Sequence, residues 1–297
     1  MKYVIQLTLI FISIIAVINV FSPACKCEEN GTNILYVGGS GDGNYRSIQD
    51  AIENSSDGDT IYVYAGIYKE NVIINRSINL IGENRETTII TGKNQFSIIL
   101  VNTQWLNISG LTIQAGPVSG IWIEGSENCN IYENNIINNS IGIYILESSN
   151  IMVFNNLISN NSITGLDIVC SFVDSLPIDF PLLSGEISVY HNNFINNTKH
   201  VNNNCSSSWS YNNEGNYYDD YTGLDKNNDG IGDTPYEIPG GDSVDKYPLM
   251  MPYDGTIRLK EFYVDYNSVF TMLAIGIIIS IIFVLPIALW WRKKYFL

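Results

Sequence analysis

The stretch Gly120-Ile-Trp-Ile-Glu124 returns as Gly142-Ile-Tyr-Ile-Leu146 and again as Gly165-Leu-Asp-Ile-Val169. The three glycines are 22 and then 23 residues apart, and an Asn-Asn pair followed by an apolar residue recurs between them. Self-similarity at a period of about 20 to 25 residues is typical of solenoids. The repeats are rich in β-branched residues and alternate in polarity, which indicates short strands joined by turns rather than helices.

This pattern predicts an all-β fold, a right-handed single-stranded parallel β-helix, in which each coil pairs with the coils above and below it. Successive side chains of a strand point to opposite faces, so the outer residues of each triplet face inward and the middle residues face outward. The outward residues are Trp122, Tyr144 and Asp167. A second inward column is predicted from Cys129 and Ile131, Ile151 and Val153, and Ile187 and Val189.

Asparagine marks the predicted turns, at Asn134-Asn135, Asn155-Asn156 and Asn192-Asn193. Asn tolerates a left-handed backbone, and its amide bonds neighbouring backbone groups. Stacked Asn side chains also hydrogen-bond from one layer to the next. We therefore expect the Asn turns to connect adjacent coils.

The chain has 297 residues and a formal net charge of −15, with only 15 Lys and Arg residues. A nucleic-acid partner would require a basic surface, so no nucleic-acid partner is expected. The acidic balance is compatible with bound cations or with an extracellular, high-salt setting.

The segments outside the repeats predict secretion, two caps and a membrane anchor. Residues 1–24 carry a basic start, an apolar run and a small-residue cleavage site, as in a signal peptide. Near Ser47, a short amphipathic stretch predicts a helical cap over the open end of the solenoid. The expected organisation is a signal peptide (1–24), the β-helix (31–210, with an insertion at 171–186), an irregular Asp/Tyr-rich cap (211–256), a juxtamembrane linker (257–267), a transmembrane helix (268–291) and a cytoplasmic tail (292–297).

The C-terminal apolar segment predicts a single membrane span. Residues 268–291 carry no charge and are long enough to cross the hydrocarbon core. Trp290 and Trp291 stand where interfacial aromatic residues belong, and Arg292, Lys293 and Lys294 follow them. By the positive-inside rule this end is cytoplasmic, which places the β-helix domain outside a single-pass cell-membrane protein.

Several stretches resemble NosD-type surface proteins of archaea and bacteria, which are pectin-lyase-like right-handed β-helices. They include Tyr36 to Ile52 (YVGGSGDGNYRSIQDAI), Gly215 to Gly223 (GNYYDDYTG) and Asp245 to Leu249 (DKYPL). The resemblance spans about residues 36–250 and implies the fold. It does not imply an activity, because fold analogy does not carry function. The family name comes from a periplasmic accessory protein that helps deliver copper to nitrous oxide reductase.

An Asp-rich stretch predicts a structural Ca²⁺ site. Its candidate ligands are Asp225, Asn227, Asp229, the backbone carbonyl of Ile231, and Asp233. Ca²⁺ prefers several oxygen ligands, and alternate acidic residues around a Gly supply them. The position where an EF-hand carries its last Glu is Tyr236, so the pattern is that of the wider class of Asp-rich calcium loops. The alternative is a polar Asp/Asn/Gly turn without a metal.

Copper is not expected, because a spaced Met/His cluster is absent and His191 and His200 are the only histidines. The five cysteines are Cys25, Cys27, Cys129, Cys170 and Cys205. Cys129 fits the inward column as a buried thiol, and Cys170 with Cys205 is one candidate disulfide. Connectivity cannot be read from the sequence alone.

The outward column Trp122, Tyr144 and Asp167 is the candidate ligand site. Flat aromatic side chains beside an acid suit a sugar chain lying along the solenoid axis, whereas the alternative is an aromatic ladder that only stabilises the sheet. No catalytic residues are assigned, because the acids near the insertion, Asp167, Asp174 and Asp179, form no recognised catalytic pair. The regular coils at 97–168 also lack the Lys or Arg base that polysaccharide lyases of this fold need.

Eight Asn-x-Ser/Thr triplets are candidate glycosylation sites: Asn30, Asn54, Asn75, Asn107, Asn138, Asn160, Asn196 and Asn204. The sequence thus predicts a membrane-anchored extracellular β-helix, either a non-catalytic envelope component or a binder of polysaccharide or envelope glycoproteins. The alternatives are a polysaccharide lyase, hydrolase or epimerase, and an accessory protein of copper-enzyme maturation.

Overall fold

Alternating apolar residues produce short strands throughout the chain, and turns rich in Asn and Gly separate them. We describe a computed structural model that defines residues 33–93, 96–170 and 186–254. In chain order the strands are β1 Ile34–Val37, β2 Thr60–Val63, β3 Gly66–Lys69, β4 Val72–Ile74, β5 Asn79–Gly82, β6 Thr88–Thr91, β7 Ile99–Val101, β8 Gln104–Ser109, β9 Thr112–Gln114, β10 Ser119–Glu124, β11 Glu127–Tyr132, β12 Asn135–Ile137, β13 Ile141–Leu146, β14 Ser149–Phe154, β15 Leu157–Ser159, β16 Thr164–Val169, β17 Ile187–Tyr190, β18 Asn193–Ile195, β19 Val201–Asn203, β20 Ser207–Ser208, β21 Tyr217–Tyr218, β22 Tyr236–Glu237 and β23 Val244–Asp245. One helix, α1, spans Ile48–Glu53 in the described residues.

The strands wind into three parallel sheets that each coil visits in turn. Sheet 1 holds β1, β2, β5, β8, β11, β14, β17 and β20; sheet 2 holds β3, β6, β9, β12, β15, β18 and β21; sheet 3 holds β4, β7, β10, β13, β16 and β19. Strands adjacent in a sheet come from successive coils, so the chain is a right-handed parallel β-helix, as predicted. A short antiparallel pair, β22 with β23, lies after the last coil.

The core consists of the predicted aliphatic columns. In sheet 3, Ile121 pairs with Ile143 and Ile143 with Leu166, and all three are fully buried. The second predicted column, in sheet 1, is confirmed as well, and its free thiol Cys129 is buried. Burial raises the pKa of this thiol to about 11, so Cys129 behaves as a small apolar residue.

The glycines of the repeat stand where stacked backbones approach most closely. A Cβ atom on Gly120 would lie 2.8 Å from the carbonyl oxygen of Gly142, and one on Gly142 would lie 2.4 Å from that of Gly165. A side chain at these positions would collide with the backbone of the next coil. The period of the glycines is therefore the period of the coil itself.

Helix α1 covers the open end of the solenoid, as the sequence predicts. Ser47 is its N-cap and accepts a hydrogen bond from the backbone N–H of Asp50 at 3.1 Å. The side chains of Ile48, Ala51 and Ile52 are buried against the first coils. The helix thus shields apolar side chains that the first coil would otherwise expose.

A disulfide joins Cys170 to Cys205, which confirms that candidate pair. It ties the end of β16 to the segment that leaves the last strand of sheet 3, across the insertion. Within the described residues, no helix has the length and apolar character that crossing a bilayer requires. The predicted signal peptide and transmembrane helix, Asn30, Asp174 and Asp179 lie outside the described residues.

Candidate functional site

The outward residues of sheet 3 form one column along the solenoid axis. Trp122 is in register with Tyr144, Tyr144 with Asp167, and Asp167 with Asn202. Each of these side chains is partly exposed. The structure therefore brings together the three predicted residues and adds a fourth from beyond the insertion.

The aromatic half of this column is a contact pair. The ring centroids of Trp122 and Tyr144 lie 4.4 Å apart with the planes tilted by 48°. The indole N–H of Trp122 donates to the carboxylate of Glu124 at 3.0 Å, which fixes the orientation of the ring. Burial and the carboxylates of Asp167 and Glu124 raise the pKa of Tyr144, so its hydroxyl stays protonated and available as a hydrogen-bond donor.

The polar half of the column is a hydrogen-bonded chain. The amide of Asn202 donates to Asp167 Oδ1 at 2.7 Å, and Lys199 Nζ donates to Asn202 Oδ1 at 2.6 Å. Sequence analysis missed Asn202 and Lys199, because the insertion displaces them by 35 and 32 residues from Asp167 instead of one period. A cation therefore does lie near Asp167, although the coils at 97–168 contain none.

Buried asparagines connect the coils at the turn between sheets 1 and 2. Oδ1 of Asn156 accepts from the backbone N–H of Asn134 at 3.0 Å, and Oδ1 of Asn192 accepts from that of Asn156 at 3.1 Å. Oδ1 of Asn216 continues the series by accepting from Asn192 at 3.0 Å. All four side chains are fully buried, so this ladder is the coil-to-coil bonding predicted for the Asn turns.

The ladder ends on a carboxylate. Asp245 is fully buried, and its Oδ2 accepts from the backbone N–H of Asn216 at 2.8 Å and from the hydroxyl of Tyr218 at 3.3 Å. Its Oδ1 accepts from the N–H of Tyr247 at 3.0 Å. Burial raises the pKa of this carboxyl to about 6, although these donors oppose the increase. Asp245 is therefore the terminal acceptor of the ladder, a role that the sequence analysis did not assign to it.

A second ladder explains three of the glycosylation candidates. Oδ1 of Asn161 accepts from the N–H of Asn139 at 3.0 Å, and Oδ1 of Asn197 accepts from that of Asn161 at 3.1 Å. The residues just before them have left-handed backbones and are exposed, and they are the candidates Asn138, Asn160 and Asn196. The fold therefore explains why these Asn residues occur in pairs. The first Asn of each pair adopts the left-handed conformation of the turn, and the second forms the ladder.

The other described triplets fall into two groups. Asn54 and Asn75 are exposed. Asn107 and Asn204 are partly buried and engaged: the amide of Asn107 donates to Asn79 Oδ1 at 2.6 Å, and Asn204 Oδ1 accepts from the N–H of Cys170 at 2.9 Å. A glycan on either of the latter two would have to displace these bonds. Glycosylation itself stays a prediction.

The predicted calcium loop is held by its own backbone. Carboxylate or amide oxygens that accept from loop N–H groups belong to Asp225, Asn227, Asp229 and Asp233. For example, Asp225 accepts from Gly230 at 2.8 Å and Asp233 from Lys226 at 2.9 Å. Ile231 forms a backbone bridge with Leu249 that ties the loop to the last described turn.

The donor set of this loop is all oxygen, which fits the preference of Ca²⁺. Within the described residues, however, no three His, Cys, Asp or Glu side chains lie close enough together to hold a metal ion. The carboxylates therefore do not form a ready-made cluster, and a bound ion would require them to turn inward. The calcium site stays a prediction.

Both histidines are paired with acids near the C-terminal end. His200 Nε2 lies 2.8 Å from Asp219 Oδ1, and His191 Nε2 lies 3.1 Å from Glu214 Oε2. The ring of His191 stacks on Tyr253 with centroids 4.2 Å apart. Burial lowers the pKa of His191, which makes it a neutral packing residue at pH 7.

Trp105 is an exposed aromatic residue that sequence analysis did not single out. It has a left-handed backbone (φ 59°) and is 66% exposed. The register places it level with Asn128, which adopts the same backbone conformation and accepts a hydrogen bond from Asn150 in the next coil. A Trp is less well suited than Asn to this conformation, and because two thirds of its surface is exposed, packing does not explain its presence here. Aligning the coils of sheet 1 in the sequence would have shown that Trp105 stands where the next coil has Asn128.

Comparisons with known proteins agree with this architecture. The family model described as "Right handed beta helix region" matches residues 21–174, just over half of the chain. No curated protein matches the sequence.

The solved structures that match this chain include an alginate lyase and several pectin methylesterases. An alginate lyase from Paenibacillus sp. is 14% identical over 60% of this chain, with a TM-score of 0.45. A pectin methylesterase from carrot is 16% identical over 62% of this chain and 70% of its own, with a TM-score of 0.36. A protein of Geobacillus virus E2 is 16% identical over 58% of this chain, with a TM-score of 0.40.

The chain spans 64% of the alginate lyase and 42% of the viral protein. At these identities the similarity concerns the fold alone. Together with the parallel coils, the family match assigns the chain: it belongs to the right-handed β-helix family.

Proposed function

We propose that this protein is a membrane-anchored, extracellular β-helix that binds glycans, as a non-catalytic component of the cell envelope. The observation that carries the proposal is the in-register column Trp122, Tyr144, Asp167 and Asn202 on sheet 3. The extracellular, membrane-anchored location is proposed from the signal peptide at 1–24 and the membrane span at 268–291, both of which are expected from the sequence. Polysaccharide or envelope glycoproteins are the expected ligands.

The chemistry of the column suits a sugar chain better than a protein side chain or a small apolar ligand. Aromatic faces pack against the apolar face of a sugar ring, and an acid, an amide and an ammonium bond its hydroxyls. Adjacent strands lie about 4.8 Å apart, so four coils offer contacts along roughly 15 Å, a span comparable to a short oligosaccharide. Tyr144 lies between Trp122 and Asp167, so its ring extends the aromatic half and its hydroxyl extends the polar half.

Replacing Trp122 by alanine is expected to weaken glycan binding about tenfold or more, because truncation of an aromatic anchor of a binding site costs about 1.4 kcal/mol or more. A glycan array probed with the purified full-length protein identifies the oligosaccharides that bind, and calorimetry with the best of them measures the affinity of the variant.

The matched control for this test is Tyr132→Ala. Tyr132 stacks on Phe154 with centroids 5.1 Å apart, but it belongs to sheet 1. This control should bind the oligosaccharide as the wild type does. An array without any bound glycan, or equal losses in the two variants, would contradict the proposal.

The enzyme alternative keeps one supporting observation. Lys199 lies in a hydrogen-bonded chain with Asp167, which puts a cation and an acid on the same face. Assays for unsaturated products and for new reducing ends on uronate polymers separate an enzyme from a binder. Product formation that Lys199→Ala abolishes would replace the binding proposal by a catalytic one.

We also propose that residues 225–233 bind a structural Ca²⁺ ion. Excess Ca²⁺ is then expected to raise the melting temperature by about 3 °C or more, because binding at ten times Kd adds about 1.4 kcal/mol to the stability of the folded state. Thermal denaturation followed by circular dichroism, with and without Ca²⁺, measures the effect. Asp229→Asn should remove it, and an unchanged melting temperature in the wild type would exclude the site.

A further inference from the structure

A cleft of about 520 Å³ opens at the N-terminal end, between the start of α1 and the strand β3. Its lining includes Arg46, which precedes the helix, Lys69 at the end of β3, and Lys93 after β6. Three coils of a chain with a net charge of −15 thus bring three cations to one concave surface. This cleft is separate from the sheet 3 column and contains none of its residues.

The cations of the cleft have no anionic partner within the described residues. Arg46, Lys69 and Lys93 are exposed, and none of them takes part in the ion pairs of those residues. By contrast, Arg85 pairs with Glu86. The positive charge of the cleft is therefore available to a ligand.

The one acid that lines the cleft is already engaged. The two carboxylate oxygens of Glu70 accept from the backbone N–H groups of Ile48 at 3.0 Å and Gln49 at 3.1 Å. Its charge is directed to the first turn of α1 and holds the helix on the solenoid. Three cations and this one carboxylate leave the lining with a net charge of +2.

The positions of these cations are set by the fold. The backbone N–H of Lys93 donates to Asn71 Oδ1 at 3.1 Å, and the amide of Asn71 donates to the carbonyl of Ser97 at 2.7 Å. Lys69 lies in β3, which pairs with β6 just before Lys93. Ile67, which is 75% exposed, adds an apolar patch to the same lining.

We propose that this cleft binds a ligand carrying two or more oxyanion groups, whether carboxylate, phosphate or sulfate. Guanidinium and ammonium groups recognise such groups through charge-assisted hydrogen bonds. The volume is within the range of small-molecule sites. In a strongly acidic protein, three like charges gathered without partners repel one another and add no stability. A bound anion removes that repulsion.

The test is calorimetry on the purified full-length protein at low salt, with three probes that differ in their oxyanion. Pyrophosphate supplies phosphate, citrate supplies carboxylate, and a multiply sulfated disaccharide supplies sulfate. At least one probe is expected to bind with one-to-one stoichiometry and to lose affinity as salt is added. The probe that binds best identifies the source of the oxyanion.

Variants assign the binding to the cleft. The double substitution Lys69→Gln with Lys93→Gln is expected to weaken binding at least tenfold, and Arg46→Gln alone should weaken it several-fold. Lys246→Gln, at an exposed lysine directly after β23 and beyond the last coil, should change the affinity less than twofold. All four substituted residues are exposed, so unchanged melting temperatures verify the fold.

Two outcomes would overturn the proposal: the absence of heat with all three probes at millimolar concentration, or equal weakening by Lys246→Gln. Glycan binding on sheet 3 is measured separately through Trp122→Ala, so failure at one site leaves the other testable.

Discussion

Replacing Asn192 by alanine is expected to lower the free energy of unfolding by about 4 kcal/mol, because the substitution leaves several buried polar groups without partners. Asn192 is fully buried, and its Oδ1 accepts from the N–H and the amide of Asn156 at 3.1 and 3.0 Å. Its own amide donates to the carbonyls of Val153 at 2.7 Å and Tyr190 at 3.1 Å, and to Asn216 Oδ1 at 2.9 Å.

The loss is large because each unsatisfied buried group costs about 1 to 3 kcal/mol, and Asn192 is shielded from solvent together with its ladder partners Asn156 and Asn216. Globular proteins have a total stability of about 5 to 15 kcal/mol, so the variant is expected to be near the limit of folding. Urea denaturation followed by far-UV circular dichroism measures the difference.

Asn75→Ala is the matched control, since it makes the same chemical change at an exposed position. Its effect is expected to stay within about 0.5 kcal/mol. If the two variants are equally stable, the ladder does not hold the coils together.

Ionisation of Asp245 is expected to reduce the stability of the wild type by roughly 2.5 kcal/mol as the pH rises from 4 to 7. The ordinary pKa of the carboxyl is 3.8, and burial raises it to about 6 in the folded protein. Between these values the unfolded chain loses its proton while the folded chain keeps it. Raising the pH through this window therefore favours the unfolded state, and the loss is complete above the folded pKa.

Asp245→Asn isolates this effect, because an amide cannot ionise and its oxygen can still accept from Asn216. The difference in unfolding free energy between wild type and variant, measured in urea at pH 4, 5, 6 and 7, should shift in favour of the variant as the pH rises. Comparing the two proteins cancels the titration of the other acids. A difference that does not change with pH would mean that Asp245 titrates normally and is not buried as described.

Much of the architecture could be predicted from local pattern. The alternation around Trp122 predicts which side chains face inward, because a strand turns successive side chains to opposite faces. The Asn pairs predict ladders, and the cap helix follows from Ser47 and the amphipathic residues after it. These predictions need only the residues of one coil and its period.

The candidate site was predicted only in part. Trp122, Tyr144 and Asp167 follow the period, whereas Lys199 and Asn202 do not, because the insertion at 171–186 breaks the constant spacing by which partners in successive coils are recognised. The basic cleft was not predicted either. Arg46, Lys69 and Lys93 are 23 and 24 residues apart, close to one period, but the early coils that carry them lack the Gly and Asn-Asn motifs by which the repeat was recognised.

The sequence by itself determined the coil, its inward and outward faces and its stacked turns, since in a parallel solenoid the hydrogen-bonded neighbour lies one period away along the chain. Only the tertiary structure showed what happens at the two ends of the solenoid, where the regular repeat stops. At the N-terminal end, helix α1 and the first coils enclose a cleft in which Arg46, Lys69 and Lys93 meet. At the other end the ladder closes on Asp245, 29 residues beyond Asn216, because a buried N–H at the last turn requires an acceptor that no further coil supplies.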